Sequence, residues 1–217
     1  MNKERGGVNK NKGRTRVIGI AGGSASGKST FSNILAGRLT SAGCSTTALV
    51  FHMDDYYLDK SKRPTFRFSF TGREMWDYDN PDAFDHLRLV SDIRSHTGAT
   101  DDVVIVEGLM VLFHESIRDL LDLKLFIDLE VDERALRRLL RDMSGHRIDT
   151  DPEYIACFYR ECARVGHTRF VEPSRAYADL TFRGDADFTR ISSMIAAIIT
   201  ADGDAGLYSC LPPKSHR

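Results

Sequence analysis

The sequence predicts an α/β domain built on a mostly parallel sheet flanked by helices, and three observations carry that prediction. Val17-Ile18-Gly19-Ile20-Ala21 and Val103-Val104-Ile105-Val106 are short apolar runs of the kind that parallel strands buried on both faces require. Stretches with apolar residues at helical spacing alternate with such runs, and that alternation implies a parallel sheet. The first run leads into Gly22-Gly23-Ser24-Ala25-Ser26-Gly27-Lys28-Ser29-Thr30, a match to the phosphate-loop pattern GxxxxGK[ST] in the strand, loop and helix setting that gives it meaning.

The chemistry of that loop explains its residues. Glycines let the backbone wrap a phosphate, while successive N–H groups and the N-terminus of the following helix face the anion. Lys28 can reach the β and γ phosphates and the Ser29 hydroxyl can ligate Mg²⁺. A chance match would be a flexible loop before an ordinary helix. With both flanks right, residues Gly22, Gly23, Ser24, Ala25, Ser26, Gly27, Lys28, Ser29 and Thr30 read as the binding loop for a nucleoside triphosphate, ATP, with Mg²⁺.

The remaining elements follow in order. Phe31, Ile34, Leu35 and Leu39 repeat at helical spacing after the loop, and Thr46 to Phe51 reads as a second strand ending at His52-Met53-Asp54-Asp55-Tyr56-Tyr57. The polar, aromatic-rich stretch through Asp79 has no clean period and reads as loop with short pieces of structure. Asn80-Pro81 is a helix start, continued by Phe84, Leu87, Val90 and Ile93. The strand Val103 to Val106 ends in Glu107-Gly108. A helix around Ser116 to Leu121 leads to a strand over Leu125 to Leu129, then a helix over Asp132 to Asp142 with Leu136, Leu139 and Leu140 facing inward. Another helix spans Pro152 to Arg164, Leu180 to Phe182 is a last strand, and Ile191, Met194, Ile195 and Ile198 mark a closing helix. Ligands of such sheets lie beyond the carboxyl ends of the strands, where Gly22, Asp54 and Glu107 all fall.

At 217 residues, with 41% hydrophobic and 28% charged content, the chain suits one soluble α/β domain. A formal charge of −1 gives no global electrostatic case for nucleic acid or an anionic membrane. Positive charge is local: Lys3, Arg5, Lys10, Lys12, Arg14 and Arg16 lie among Gly and Asn with no apolar run for a signal peptide. Residues 1–15 read as a disordered basic arm, with a nucleic-acid role as the alternative, residues 16–202 as one phosphate-loop domain and residues 203–217 as a flexible tail. Cys44, Cys157, Cys162 and Cys210 form neither a disulfide framework nor a zinc pattern, so a reducing cytoplasm fits. No apolar stretch approaches the roughly 18 residues of a membrane helix.

Carboxylates at neighbouring strand ends bear on what accepts the phosphoryl group. Asp54 is the candidate base for an attacking hydroxyl, against the plainer reading that Asp54-Asp55 closes a turn. Glu107 commonly would hold Mg²⁺ or its waters, against a simple turn carboxylate. Arg134, Arg137, Arg138 and Arg141 crowd one helix and Arg147 follows. Alone they suit a solvated face, since Glu133 can pair with Arg137; beside a triphosphate site, Arg138 and Arg141 could instead close over the phosphates as a small arginine-bearing lid. Trp76, Tyr78 and Asp79, with Tyr57, could stack on a planar ring and bond sugar hydroxyls, although a lone Trp is more often core. His52, His86, His96, His114, His146 and His167 show no metal-binding helical pair, and none is assigned as a ligand.

Taken together, the phosphate loop at 22 to 30, Asp-Asp-Tyr-Tyr at 54 to 57 and Tyr-Asp-Asn-Pro-Asp-Ala-Phe-Asp at 78 to 85 resemble the uridine kinase family of P-loop NTPase fold. Glu107-Gly108-Leu109, Ile117-Arg118-Asp119-Leu120, Arg137-Arg138-Leu139-Leu140-Arg141-Asp142 and the run from Phe170 to Asp179 also look like that family's motifs in its order, so the resemblance covers residues 16 to 184. It implies an ATP-dependent kinase acting on the 5′-hydroxyl of a ribonucleoside, with Asp54 as base, Ser29 and Glu107 at Mg²⁺, Asp79 holding the ribose, and Arg138 and Arg141 as lid arginines.

Two departures accompany the resemblance. The family's Arg-Gly-Arg appears as Ser144-Gly145-His146-Arg147, and the span between Asp85 and Val103 holds one helix and a short loop where uridine kinases carry a pyrimidine-binding hairpin. Nicotinamide riboside kinases, which likewise use a Tyr-Asp pair and lack that hairpin, are the alternative, together with kinases of other small sugars. A nucleotide-binding regulator without catalysis is an alternative of another class, against which Lys28, Ser29, Asp54 and Glu107 are all retained. The partner expected is a small ribonucleoside or riboside, with no nucleic acid and no membrane, and a homo-oligomer is left open.

Overall fold

A computed structural model describes residues 14–41, 46–97, 102–146 and 150–201. Five strands, β1 (Arg16–Gly22), β2 (Ala48–His52), β5 (Val103–Glu107), β6 (Leu123–Asp128) and β7 (Leu180–Arg183), form one sheet in the order β2-β5-β1-β6-β7. All four pairings are parallel, so the mostly parallel sheet expected from the apolar runs is present. Successive side chains on a strand point to opposite faces. Thus Ile18, Ile20, Ile105 and Ile127 enter one core with Phe31, Leu35, Leu39 and Ile195, while Val17, Val104, Val106 and Phe126 enter another with Leu89, Val90, Ile93 and Ile117. The first core is closed by α1 (Lys28–Ser41) and the C-terminal helix (Phe188–Ala201), the second by α2 (His86–His96) and the single turn α3 (Glu115–Arg118).

Several local expectations need correction. The stretch before Asp79 contains an antiparallel hairpin, β3 (Thr65–Phe68) and β4 (Arg73–Trp76), with Thr65 opposite Trp76. Asn80 caps only one 3₁₀ turn, Pro81–Ala83, by accepting from the Asp82 N–H. Phe84 then returns to extended backbone and bridges to Tyr57, and the Asp85 carboxylate caps α2 through the Arg88 N–H. The break resets the helical phase, which leaves Leu87 exposed.

Helix α4 (Val131–Arg141) turns the other way from the expected one. Leu136 and Leu140 face solvent at 56% and 69% exposure, whereas Arg134 is buried, because the inner face of this helix meets the phosphate loop and not an apolar layer. The helix expected over 152–164 continues to Tyr177. It runs as α5 (Pro152–Phe158), a wide π turn (Tyr159–Ala163), α6 (Arg164–Gly166), a second π turn (His167–Val171) and α7 (Glu172–Ser174), closed by a 3₁₀ turn over Arg175–Tyr177. In the last helix, α8 (Phe188–Ala201), Ser192, Ile195 and Ala196 face the core while Met194 and Ile198 are exposed.

Most of the basic arm, the tail, Cys44, Cys210 and Arg147 lie outside the described residues. Among those described, Cys157 and Cys162 are free thiols, and no helix is long and apolar enough to cross a membrane.

Candidate active site

The carboxyl ends of β1, β2 and β5 meet at a cleft of about 410 Å³. Parallel register sets its floor: Ile20 on β1 and His52 on β2 both pair with Glu107 on β5. The phosphate loop therefore leaves β1 beside the carboxylate that ends β5, with the Asp54 turn one strand further on. Ser24, Lys28, Ser29, Asp54, Tyr57, Tyr78, Asp79, Glu107, Arg138 and Arg141 all line this cleft, as do Ala25, Gly27 and Thr30.

The loop backbone is wound as a cradle. The Ser26 N–H donates to Gly23 O at 3.2 Å and the Phe31 N–H to Gly27 O at 2.9 Å. Ala25 lies at φ 64°, a left-handed conformation costing a non-glycine residue about 1–2 kcal/mol, the sort of strain that functional loops retain. Gly27 lies at φ 97°, and a Cβ there would come within 2.9 Å of the Phe188 ring. That ring packs edge-on against Phe31, 5.3 Å between centroids, so the core cluster beneath the loop enforces glycine at this turn.

Lys28 is buried and its ammonium donates to Gly23 O at 2.9 Å. Burial holds its pKa below the usual lysine value, against the opposing pull of Glu107 and Asp54. An anion arriving in the cradle would complete its solvation. Arg141, which lines the cleft, has its Nη2 buried with no hydrogen-bond partner, and an unsatisfied guanidinium nitrogen beside the phosphate loop fits a phosphate ligand.

Ser29 donates its hydroxyl proton to Glu107 Oε1 at 2.8 Å. His52 Nδ1 lies 2.7 Å from the same oxygen, a neighbour that the scattered histidines of the sequence did not suggest. Only the sheet register, which sets His52 opposite Glu107, could have found it. The hydroxyl and the carboxylate are hard oxygen donors suited to Mg²⁺. Among the described residues no group of three or more His, Cys, Asp or Glu could hold a metal by itself. The site fits an ion shared with phosphates and waters, the common arrangement for Mg²⁺.

On the acceptor side, the Tyr57 hydroxyl donates to Tyr78 O at 3.1 Å and the two rings meet at 89°. Tyr57 also stacks on Phe84, and the Arg63 guanidinium covers both tyrosine rings, 5.1 and 5.5 Å from their centroids. Asp79 is 4% exposed. Burial raises its pKa, partly offset by Arg138. Trp76 does not join them: it lies on the hairpin outside the cleft lining, its indole N–H donates to Lys60 O at 3.0 Å and its ring lies beneath the Lys60 ammonium. The expectation of a Trp76 stacking platform is corrected accordingly, since pairing with Thr65 turns the residue toward Lys60.

The arginines divide by partner. Arg137 takes the plain pairing, donating to Glu133 at 2.7 Å and also to Gly184 O. Arg138 and Arg141 instead share Asp142, whose carboxylate is buried and lies 3.4 and 2.9 Å from their Nε atoms. Asp142 was not singled out in the sequence, yet it holds both guanidinium groups at the cleft. Arg134, also not singled out as a site residue, donates to Leu129 O, and its Nη1 would lie 2.5 Å from a Cβ at Gly23. It braces the phosphate loop from the side of α4.

Residues 84–187 match the sequence profile of the Phosphoribulokinase / Uridine kinase family. A uridine kinase of Geobacillus kaustophilus is 34% identical over 210 residues, covering 85% of this chain and 93% of that protein. A uridine kinase of Leuconostoc citreum is 37% identical over 190 residues, covering 76% and 85%. Among solved structures, shikimate kinase from Acinetobacter baumannii in complex with shikimate superposes with a TM-score of 0.53 at 14% identity, covering 88% of this chain and 96% of that one. That last likeness is one of fold.

Proposed function

The chain belongs to the Phosphoribulokinase / Uridine kinase family, and we propose that it transfers the γ-phosphoryl group of ATP, with Mg²⁺, to the 5′-hydroxyl of a ribonucleoside. The observation that supports this reading is the convergence of Lys28, Ser29, Asp54, Asp79 and Glu107 on one cleft. Ser29 and Glu107 would hold the Mg²⁺ ion, which when bound neutralises charge on the β and γ phosphates.

Each residue then has a separable task. Asp79 accepts hydrogen bonds from the ribose hydroxyls and fixes the sugar. Asp54 takes the proton of the 5′-hydroxyl as that oxygen bonds to the γ-phosphorus and the bond from phosphorus to the β,γ-bridging oxygen breaks, releasing ADP. Lys28, Arg138 and Arg141 stabilise the charge that moves onto the leaving oxygen. Tyr57 and Tyr78 line the acceptor side of the cleft and exclude water from it.

A specific observation favours broad base selection. The segment after Asp85 is helix α2, so the hairpin of uridine kinases is not found at residues 86–97, and the hairpin β3–β4 lies earlier in the chain. Nicotinamide riboside is therefore a second acceptor to consider. The test is a comparison of kcat/KM for uridine, cytidine and nicotinamide riboside with that for the 2′-deoxy nucleosides. A buried carboxylate that loses its hydroxyl partner is left unsatisfied, so the ribose-over-deoxyribose ratio should exceed the ratio between bases. Sharp preference for one base with indifference to the 2′-hydroxyl would overturn the proposal.

A further inference from the structure

The helical run that follows the arginine segment packs directly behind Asp79. Cys162 is 3% exposed, and its thiol donates to Asp77 Oδ1 at 3.1 Å and reaches Asp79 Oδ2 at 3.6 Å. The Asp79 N–H donates to the same Asp77 oxygen at 3.1 Å, so the two aspartates and the thiol form one small network. Burial beside these carboxylates pushes the thiol pKa up, so the sulfur keeps its proton and acts as a donor. One turn later, Gly166 presses on the same residue: a Cβ there would come within 2.5 Å of Asp79 Cβ. Gly166 has ordinary helical backbone, φ −61°, and close approach alone calls for glycine.

The same run grips the rest of the acceptor wall. Phe158 packs on Phe68 of the hairpin, 5.8 Å between centroids, and on the Arg138 guanidinium. Glu161 accepts hydrogen bonds from the N–H and hydroxyl of Ser69 at the hairpin tip.

We propose that Cys162 is a positioning residue for acceptor recognition, its thiol and the Gly166 backbone together holding the Asp79 carboxylate in the orientation that receives a sugar hydroxyl. The inference rests on the reading of Asp79 as the ribose-binding group. A side chain that only filled the aromatic cluster of Phe68, Phe158 and Tyr78 would need no hydrogen-bond donor; a positioning side chain needs one.

The experiment measures KM for uridine, KM for ATP, kcat and Tm in the full chain carrying Cys162→Ala, Cys162→Ser or Asp79→Asn. Loss of one hydrogen bond to a carboxylate should raise the uridine KM of Cys162→Ala about three- to tenfold, with kcat and ATP KM within about twofold of the parent. Cys162→Ser, which keeps a donor, should recover most of that loss, and Asp79→Asn should raise the uridine KM at least as much as Cys162→Ala. A raised uridine KM in Asp79→Asn with an unchanged one in Cys162→Ala would overturn the positioning role alone. Equal losses in the Ala and Ser variants, tracking a common fall in Tm, would assign Cys162 to packing and also overturn it. With the best riboside acceptor used where it is not uridine, an unchanged acceptor KM in Asp79→Asn, or no turnover of any riboside by the parent, would overturn the reading of Asp79 and this inference with it.

Discussion

The Ser29 hydroxyl donates to Glu107 at 2.8 Å, which joins the first turn of α1 to the end of β5 across the floor of the cleft. The hydrogen bond sets the two oxygen donors that would share an ion side by side. Such preorganisation removes part of the cost of assembling a site.

Glu107→Gln keeps the shape and the acceptor oxygen but removes the charge. The Mg²⁺ concentration giving half-maximal turnover should rise about tenfold or more, with Tm little changed. A Mg²⁺ titration of initial rate reads this directly, and an unchanged midpoint would show that Glu107 serves only the Ser29 and His52 hydrogen bonds.

Asp54 and Lys28 are expected to fail in different ways. Asp54→Asn removes the proton acceptor at constant size, so kcat should fall steeply while ATP KM stays nearly intact. Lys28→Ala removes a buried cation aimed at the transferred group, and kcat should fall about 10²–10³-fold. Lost ATP binding in Asp54→Asn with little change in kcat would move that residue to the nucleotide; turnover of Lys28→Ala within twofold of the parent would contradict the phosphate-loop assignment.

Arg138 and Arg141 share the buried carboxylate of Asp142, so their geometry is held in common. Alanine at either position should chiefly lower kcat, and Asp142→Asn should produce a smaller loss in the same parameter by loosening both guanidinium groups. Exposed ion pairs contribute about 0–1 kcal/mol, so unchanged kinetics in all three variants would return these arginines to a plain surface role.

Stability should fall as pH falls below neutrality. Burial, reinforced by the stacked His86 ring, holds the His114 pKa down to about 4, against 6.5 for a free histidine. The unfolded chain therefore binds this proton more tightly, and the contribution is complete above about pH 6.5 and lost progressively toward pH 4. His167 is held down to about 4 with the same sign, by burial and then by Arg134 and Lys28. Thermal unfolding should show a lower Tm at pH 5 than at pH 7, with a smaller difference in His114→Phe. An equal difference in that variant would place the dependence elsewhere.

The parts legible in the sequence are those decided locally. Strands buried on both faces read as unbroken apolar runs, as Val103 to Val106 did, and the phosphate loop carries its glycines at fixed spacing. What was not legible depends on contacts distant in sequence. Strand β3 does alternate, Thr65-Phe66-Arg67-Phe68, but over only four residues, and the hairpin β3–β4 is held by Phe68 packing on Tyr154 and Phe158. The inward face of α4 was misread because leucines usually mark the core, whereas here the helix meets a phosphate loop and turns Arg134 inward. His52 and Asp142 gain their roles only through the partners that the sheet register and the helix terminus bring to them.

The most direct test of the central claim is identification of the product formed from ATP, Mg²⁺ and uridine, cytidine or nicotinamide riboside, by phosphorus NMR and mass spectrometry. The arrangement of Asp54, Asp79, Lys28 and the Ser29–Glu107 pair predicts a 5′-phosphomonoester and an equal amount of ADP from at least one of these ribosides, abolished by omitting Mg²⁺. Consumption of ATP only with acceptors that carry no ribose, or none with any hydroxyl acceptor, would contradict it.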